Sequence, residues 1–177
     1  MDNKKITGRD HIKETVIDYL TQIHLFDELI GDELKVAATH MNYLEMKKGQ
    51  YLFKEGDNGD YVCFVVEGEI DVIKQSASEK KVKIATLPKG STLGEMSIID
   101  HTPRSASARA GEDTTLILFS QKGFNKILDE HPKIGIKILK GISRLLSLNM
   151  RRTSSLLADY MLPVEKPGDK KAGAKKL

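Results

Sequence analysis

The apolar residues of this chain change period twice, and that change limits the fold more than any other feature. From Arg9 to about Ile23, the residues Ile12, Val16, Ile17, Leu20 and Ile23 are spaced 4, 1, 3 and 3 apart, which sets them on one helical face. Asp32 can cap a second helix carrying Leu34, Val36, Ala37, Ala38 and Met41. These stripes are expected to face the core of their own domain. From Tyr43 onward the helical period is gone. Tyr61 to Val66 is a continuous apolar run, as in a strand covered on both faces. Ile70 and Val72, then Val82, Ile84 and Thr86, then Thr114 to Phe119 form further short runs. Lys48-Gly49, Glu55 to Asp60, Gly68, Pro88-Lys89-Gly90 and Gly111-Glu112-Asp113 punctuate them as turns. Short strands at regular intervals imply a β-sandwich or barrel. At Gly123 the helical period returns with Phe124, Ile127 and Leu128, and His131-Pro132 breaks it before a long helix over about 133–160.

The expected organisation follows. Residues 1–8 are read as disordered, 9–42 as a helical segment, 43–122 as the β domain, 123–160 as C-terminal helices and 161–177 as a disordered basic tail. The formal charge of +3 is that of the tail, where five lysines stand against Glu165 and Asp169, so the remaining residues balance to zero. A neutral body is a poor DNA-binding surface. No run approaches the roughly 18 apolar residues of a membrane helix, and the first residues lack the apolar stretch of a signal peptide. Cys63 is the only cysteine and sits in an apolar run, which suits a buried hydrophobe and a cytoplasmic address. His11, His24, His40, His101 and His131 are scattered without ligand spacing, and no activated nucleophile is readable, so neither a metal site nor an enzyme is expected.

The long helix carries Gly135 and Gly141, each costing about 1 kcal/mol relative to alanine, so packing must hold it. Ile138, Ile142, Leu145, Asn149 and Leu156 recur as a heptad seam, and Leu139, Leu146, Met150 and Leu157 form a neighbouring stripe. One seam can meet a partner helix, with Asn149 setting register, or both can form one broad face on the parent domain.

The stretch with chemistry is Ser91 to Ala108, STLGEMSIIDHTPRSASA. Met96, Ile98 and Ile99 read as one helical turn beginning at Gly94-Glu95. Free N–H groups at a helix start favour an anion, and glycine lets the backbone approach it. Arg104 can fork onto a phosphate, and Glu95 can accept from sugar hydroxyls. Taken singly, Glu95 reads equally as a dipole partner at a helix start and Arg104 as a surface cation. An arginine buried among apolar groups needs an anion, and Glu95 is the available one without ligand.

This stretch resembles the phosphate-binding cassette of cyclic nucleotide-binding domains, the receptor modules of catabolite activator proteins and protein kinase A regulatory subunits. The resemblance extends over roughly residues 25–157 and includes the turn Gly49-Gln50-Tyr51-Leu52-Phe53-Lys54-Glu55-Gly56-Asp57, the aromatic-rich strand after Asp60, and Gly68. It implies an α+β, mainly β fold: a jelly-roll barrel flanked by N-terminal helices and a long C-terminal helix. It implies that Glu95 meets the ribose 2′-hydroxyl, that Arg104 pairs with the cyclic phosphate, and that Ser105 adds a hydroxyl and an N–H. Gly94 and Ser97 add backbone N–H groups, and Met96 packs beside the sugar or into the core. Val72, Ile84 and Leu87 are the matching apolar contacts for the base. Asn149 aligns with a long-helix position that reads the base, and the adjacent Met150 departs from the family pattern, leaving base selectivity open. Serine at 105 leans toward cAMP over cGMP. The expectation is a cyclic nucleotide sensor with no cofactor and no DNA or membrane partner. It would form a homodimer through the long helix and signal to a further protein by helix movement. Only about 17 residues follow the long helix, too few for a helix-turn-helix reader. The rival readings are an interaction module with a non-binding pocket and a cyclic dinucleotide receptor.

Overall fold

The computed structural model describes residues 15–75 and 80–161. Residues 1–8 and most of the basic tail, expected to be disordered, lie outside the described residues. Two units divide the chain, Met1–Ile142 and Ser143–Leu177, the boundary falling inside the long helix.

In the first unit, a helix α1 (residues 15–20) and a 3-10 turn (His24–Phe26) lead into α2 (Asp32–Ala38). The β strands are β1 (Met41–Met46), β2 (Tyr51–Phe53), β3 (Tyr61–Glu67), β4 (Glu69–Gln75), β5 (Lys81–Pro88), β6 (Thr92–Leu93), β7 (Ser107–Ala110) and β8 (Thr114–Ser120). A short helix α3 (Glu95–Asp100) interrupts them, and α4 (Gln121–Glu130) and α5 (Pro132–Met161) follow. The β structure begins at Met41, two residues before the sequence-based boundary, because Met41 pairs with Phe119 across β1 and β8.

The strands form two antiparallel four-stranded sheets in the orders β1-β8-β3-β6 and β2-β7-β4-β5. This is a mainly β jelly roll with helices at both ends of the chain. Met46, Cys63, Val65, Ile70, Leu93, Ala108, Ala110 and Leu116 form the core between the sheets. The continuous apolar run of β3 has its physical reason here. Cys63 and Val65 point into that core, while Phe64 meets Phe26 edge-on, with ring centres 5.2 Å apart. Phe119 of β8 likewise meets Phe124 of α4 at 5.9 Å.

The helices join the barrel by local devices. The Ser120 hydroxyl caps α4 by accepting from the Gly123 N–H at 3.1 Å. Pro132 opens α5, where a missing N–H costs nothing. Ile134, Ile138 and Ile142 are buried, and the backbone of Gly141 lies directly against the Leu25 carbonyl. Lys137 donates to both Glu33 carboxylate oxygens at 2.7 Å, tying α5 to α2.

In the second unit α5 continues from Ser143 to Met161, and Leu148, Met150, Leu156, Leu157, Tyr160 and Met161 are exposed. Among the described residues, no helix is long and apolar enough to cross a membrane, and no group of His, Cys, Asp or Glu is placed to hold a metal ion.

Candidate nucleotide site

The cassette lies between β6 and β7. Gly94 adopts φ 80°, ψ 14°, a left-handed conformation, as the residue preceding α3. A Cβ at Gly94 would run into Nη1 of Arg104. Both the turn and the close approach therefore need glycine. Glu95, Ser97 and Arg104 are all buried, so this short segment takes two opposite charges out of water.

Arg104 is fixed from four sides. Nη2 donates to the Tyr61 carbonyl at 2.7 Å and Nη1 to the Gly94 carbonyl at 3.3 Å. The guanidinium carbon lies 4.2 Å from the Phe53 ring centre and 4.5 Å from that of Tyr61, a cation in the corner of two rings inclined at 62° to each other. The main chain is clamped as well. Arg104 N–H donates to the Asp57 carbonyl at 2.8 Å, and Gly56 N–H donates to the Arg104 carbonyl at 2.9 Å. The turn that does this is closed by Lys54 N–H donating to Asp57 Oδ2 at 2.7 Å. Gly59 packs against Ser97, and a Cβ there would also come within 3.3 Å of Arg104 Nε. That Nε is itself buried with no hydrogen-bond partner. A donor left unpaired on a buried cation calls for an acceptor.

Beside the cassette is a cleft of about 90 Å³, walled by Phe53, Val72, Leu93 and Gly94 and floored by Ser105 to Ala108. The Ser105 backbone is pinned from β4, where Lys74 Nζ donates to its carbonyl at 2.6 Å and lies 3.1 Å from Glu55 Oε1. The structure thus gathers Gly94, Ser105 and Val72 around one cleft, with Arg104 bonded to its Gly94 wall. Met96 is half-exposed and does not enter the core. Leu87 is partly buried against the inter-sheet core. Ile84 is 57% exposed, on a strand that is exposed from Lys81 to Thr86 and forms the edge of its sheet. Asn149 is exposed within the second unit, where its carbonyl accepts from Thr153 Oγ1 at 2.9 Å.

Sequence reasoning missed Phe53, Tyr61 and Gly59 as parts of the site. Phe53 and Tyr61 were visible as strand aromatics, but only the barrel brings both of them against Arg104. Burial pushes the Tyr61 hydroxyl above its ordinary range, and that hydroxyl donates to the Leu52 carbonyl at 3.2 Å. Burial likewise pushes the Cys63 thiol far up, so it stays protonated and acts as core.

The fold is thus a jelly roll that holds a buried glutamate and a buried arginine on one short cassette. The profile of the cyclic nucleotide-binding domain family matches residues 43–131, half of the chain, and the chain belongs to that family. Among solved structures it is similar to a cyclic nucleotide-binding domain from Methylobacillus flagellatus, at 29% identity and a TM-score of 0.77, over 89% of this chain and 88% of that one. It is also similar to the catabolite activator protein of Thermus thermophilus, at 26% identity and a TM-score of 0.67, covering 76% of this chain and 61% of that protein. Curated relatives include a lysophospholipase of Chaetomium globosum, 32% identical over 103 residues, which are 58% of this chain and 7% of that enzyme. A cGMP-dependent protein kinase of Plasmodium berghei is 32% identical over 111 residues, covering 61% of this chain and 12% of the kinase. The chain therefore spans a small fraction of the length of those two proteins.

Proposed function

We propose that this domain is a cyclic nucleotide sensor that takes cAMP in the cassette, with cGMP the weaker ligand. The carrying observation is Arg104: a buried guanidinium, flanked by two aromatic rings, with one donor unpaired and a bond to the wall of the cleft. A cyclic phosphate is a compact monoanion that such a donor can meet, and the guanidinium is already ordered by its bonds to the Tyr61 and Gly94 carbonyls. The buried Glu95, on the first turn of α3, takes the ribose 2′-hydroxyl, and Gly94, Ser97 and Ser105 supply backbone N–H groups and a hydroxyl to the phosphate. Val72 offers an apolar wall to the base, and Ile84, Leu87, Met96 and Asn149 are the further proposed contacts. Serine at 105 supports cAMP over cGMP through the family resemblance.

The output is carried by the C-terminal helix, whose exposed apolar residues from Leu148 to Met161 suit a second copy of the chain or a downstream protein. The relatives that carry this domain within a kinase or a lysophospholipase support a regulatory role. Titration calorimetry and thermal denaturation with cAMP and with cGMP test the reading. At a ligand concentration 100-fold above Kd, the expected stabilisation is about 2.7 kcal/mol. No heat and no shift with either nucleotide at millimolar concentration would refute it. Mass measured in both states tests the dimer.

A further inference from the structure

Gln121 is the first residue of α4, and three contacts make it the junction between the cassette and the C-terminal helices. Its backbone N–H donates to the Asp60 carbonyl at 2.7 Å, beside the Gly59 that packs on Ser97. Its side-chain Nε2 donates to the Ile98 carbonyl at 3.3 Å, in the last turn of α3. The same Nε2 lies 2.6 Å from Nδ1 of His101, the residue that closes α3. A carbonyl can only accept, so the Ile98 contact assigns the NH₂ end of the amide, and its second proton goes to Nδ1. His101 is then the tautomer with its own proton on Nε2.

His101 adopts an unusual backbone to make this contact. Its φ is 57°, and it is the sole non-glycine residue with positive φ among the described residues. A bulky side chain in that conformation is held there by its surroundings, and here the ring reaches Gln121. The helix it closes is only six residues long, too short to be stable by itself. That helix begins with Glu95.

We propose that His101 and Gln121 form a latch that holds the cassette helix in its nucleotide-binding arrangement and joins it to α4. His101 is thus a positioning residue, lying in the chain between Glu95 and Ser97 on one side and Arg104 and Ser105 on the other. The inference rests on the cassette reading above. Without the latch, α3 spends a smaller fraction of its time in the competent arrangement, and apparent affinity falls by that fraction.

The test uses the full chain and the variants His101→Ala, Gln121→Ala, the double variant, and His101→Asn. Asparagine tolerates positive φ and offers a carbonyl acceptor in place of Nδ1. Cyclic AMP affinity is measured by calorimetry, and hydrogen exchange of residues 96–101 and 121–126 is followed without nucleotide. His101→Ala, which loses one hydrogen bond, is expected to weaken binding about fivefold, and Gln121→Ala, which also loses the bond to the Ile98 carbonyl, at least as much. The double variant should bind no more weakly than Gln121→Ala, since the contact that His101→Ala removes is already lost there. His101→Asn should bind within about twofold of the parent, as expected for a retained acceptor. Exchange at 96–101 should quicken in both alanine variants and not in His101→Asn. Unchanged affinity in both alanine variants overturns the latch, whatever exchange shows, and so does a double variant whose losses add. Should the parent bind neither cAMP nor cGMP, the nucleotide reading fails separately. The exchange pattern then decides: quickening confined to the alanine variants supports the latch, and no quickening overturns it.

Discussion

The guanidinium carbon of Arg104 lies 4.2 Å above the centre of the Phe53 ring. Tyr61 covers it from another side at 4.5 Å. A planar cation fills such a slot, whereas an ammonium is a point charge that neither stacks nor forks. The site is therefore built around the shape of arginine as much as its charge.

Replacing Arg104 by lysine tests that distinction. Arg104→Lys is expected to weaken nucleotide binding by about tenfold or more, from the lost fork and the lost stacking. Calorimetry against the parent measures it, and unchanged affinity would remove Arg104 from the phosphate site.

Gly94→Ala meets two penalties at once. The position has φ 80°, and the new Cβ runs into Nη1 of Arg104. The left-handed backbone alone costs about 1–2 kcal/mol, and the collision displaces the guanidinium. Chemical denaturation should show the loss of stability, and nucleotide affinity should fall with it. Stability lost with affinity intact would show that Arg104 can shift without consequence for the ligand.

Gly141→Ala separates helix propensity from packing. In an isolated helix the change stabilises by about 1 kcal/mol. Here the added methyl runs into the backbone carbonyl of Leu25, which cannot rotate away as a side chain can. The expected outcome is destabilisation by about 1–3 kcal/mol, as for overpacked cores. A higher melting temperature for the variant would contradict the close contact of α5 with the Leu25 segment.

Asp71 predicts an acid limb to stability. It is only 5% exposed, so burial disfavours its charge, but bonds from Lys83, Thr86 and Arg109 outweigh burial and hold its carboxyl below the usual aspartate range. Lys83 Nζ and Thr86 Oγ1 reach Oδ1 at 3.1 and 3.0 Å, and Arg109 Nη2 reaches Oδ2 at 3.2 Å. A folded-state pKa below the unfolded one gives stability that is fully present above the unfolded value, about 3.9, and is lost as pH falls through the folded value. Asp71→Asn should therefore be less stable than the parent at neutral pH by about 1–2 kcal/mol. The gap should narrow below about pH 4. Denaturation at several pH values measures it, and a constant gap would show that the carboxylate charge plays no part.

Much of this architecture is legible from the chain alone. The unbroken apolar run of Tyr61 to Val66 indicated a strand covered on both faces, and Phe26 on one side and the inter-sheet core on the other are what cover it. The turn of Glu55 to Asp60 was readable from its composition, but not that its carbonyl and N–H groups clamp the backbone of Arg104. Ile84 read as one more inward alternation, yet β5 is the edge strand of its sheet and is exposed from Lys81 to Thr86, and sheet order is not written in the alternation of a single strand.

The sequence by itself determined which segments are strands and helices, and where a carboxylate and a guanidinium share one short loop, because period and turn chemistry act over a few neighbouring residues. Only the tertiary structure decided that Phe53 and Tyr61 enclose Arg104, that Leu25 limits position 141 to glycine, and that Gln121 meets His101. Those contacts join residues far apart in the chain. They depend on sheet register and on how closely packed backbones approach, which no local pattern encodes.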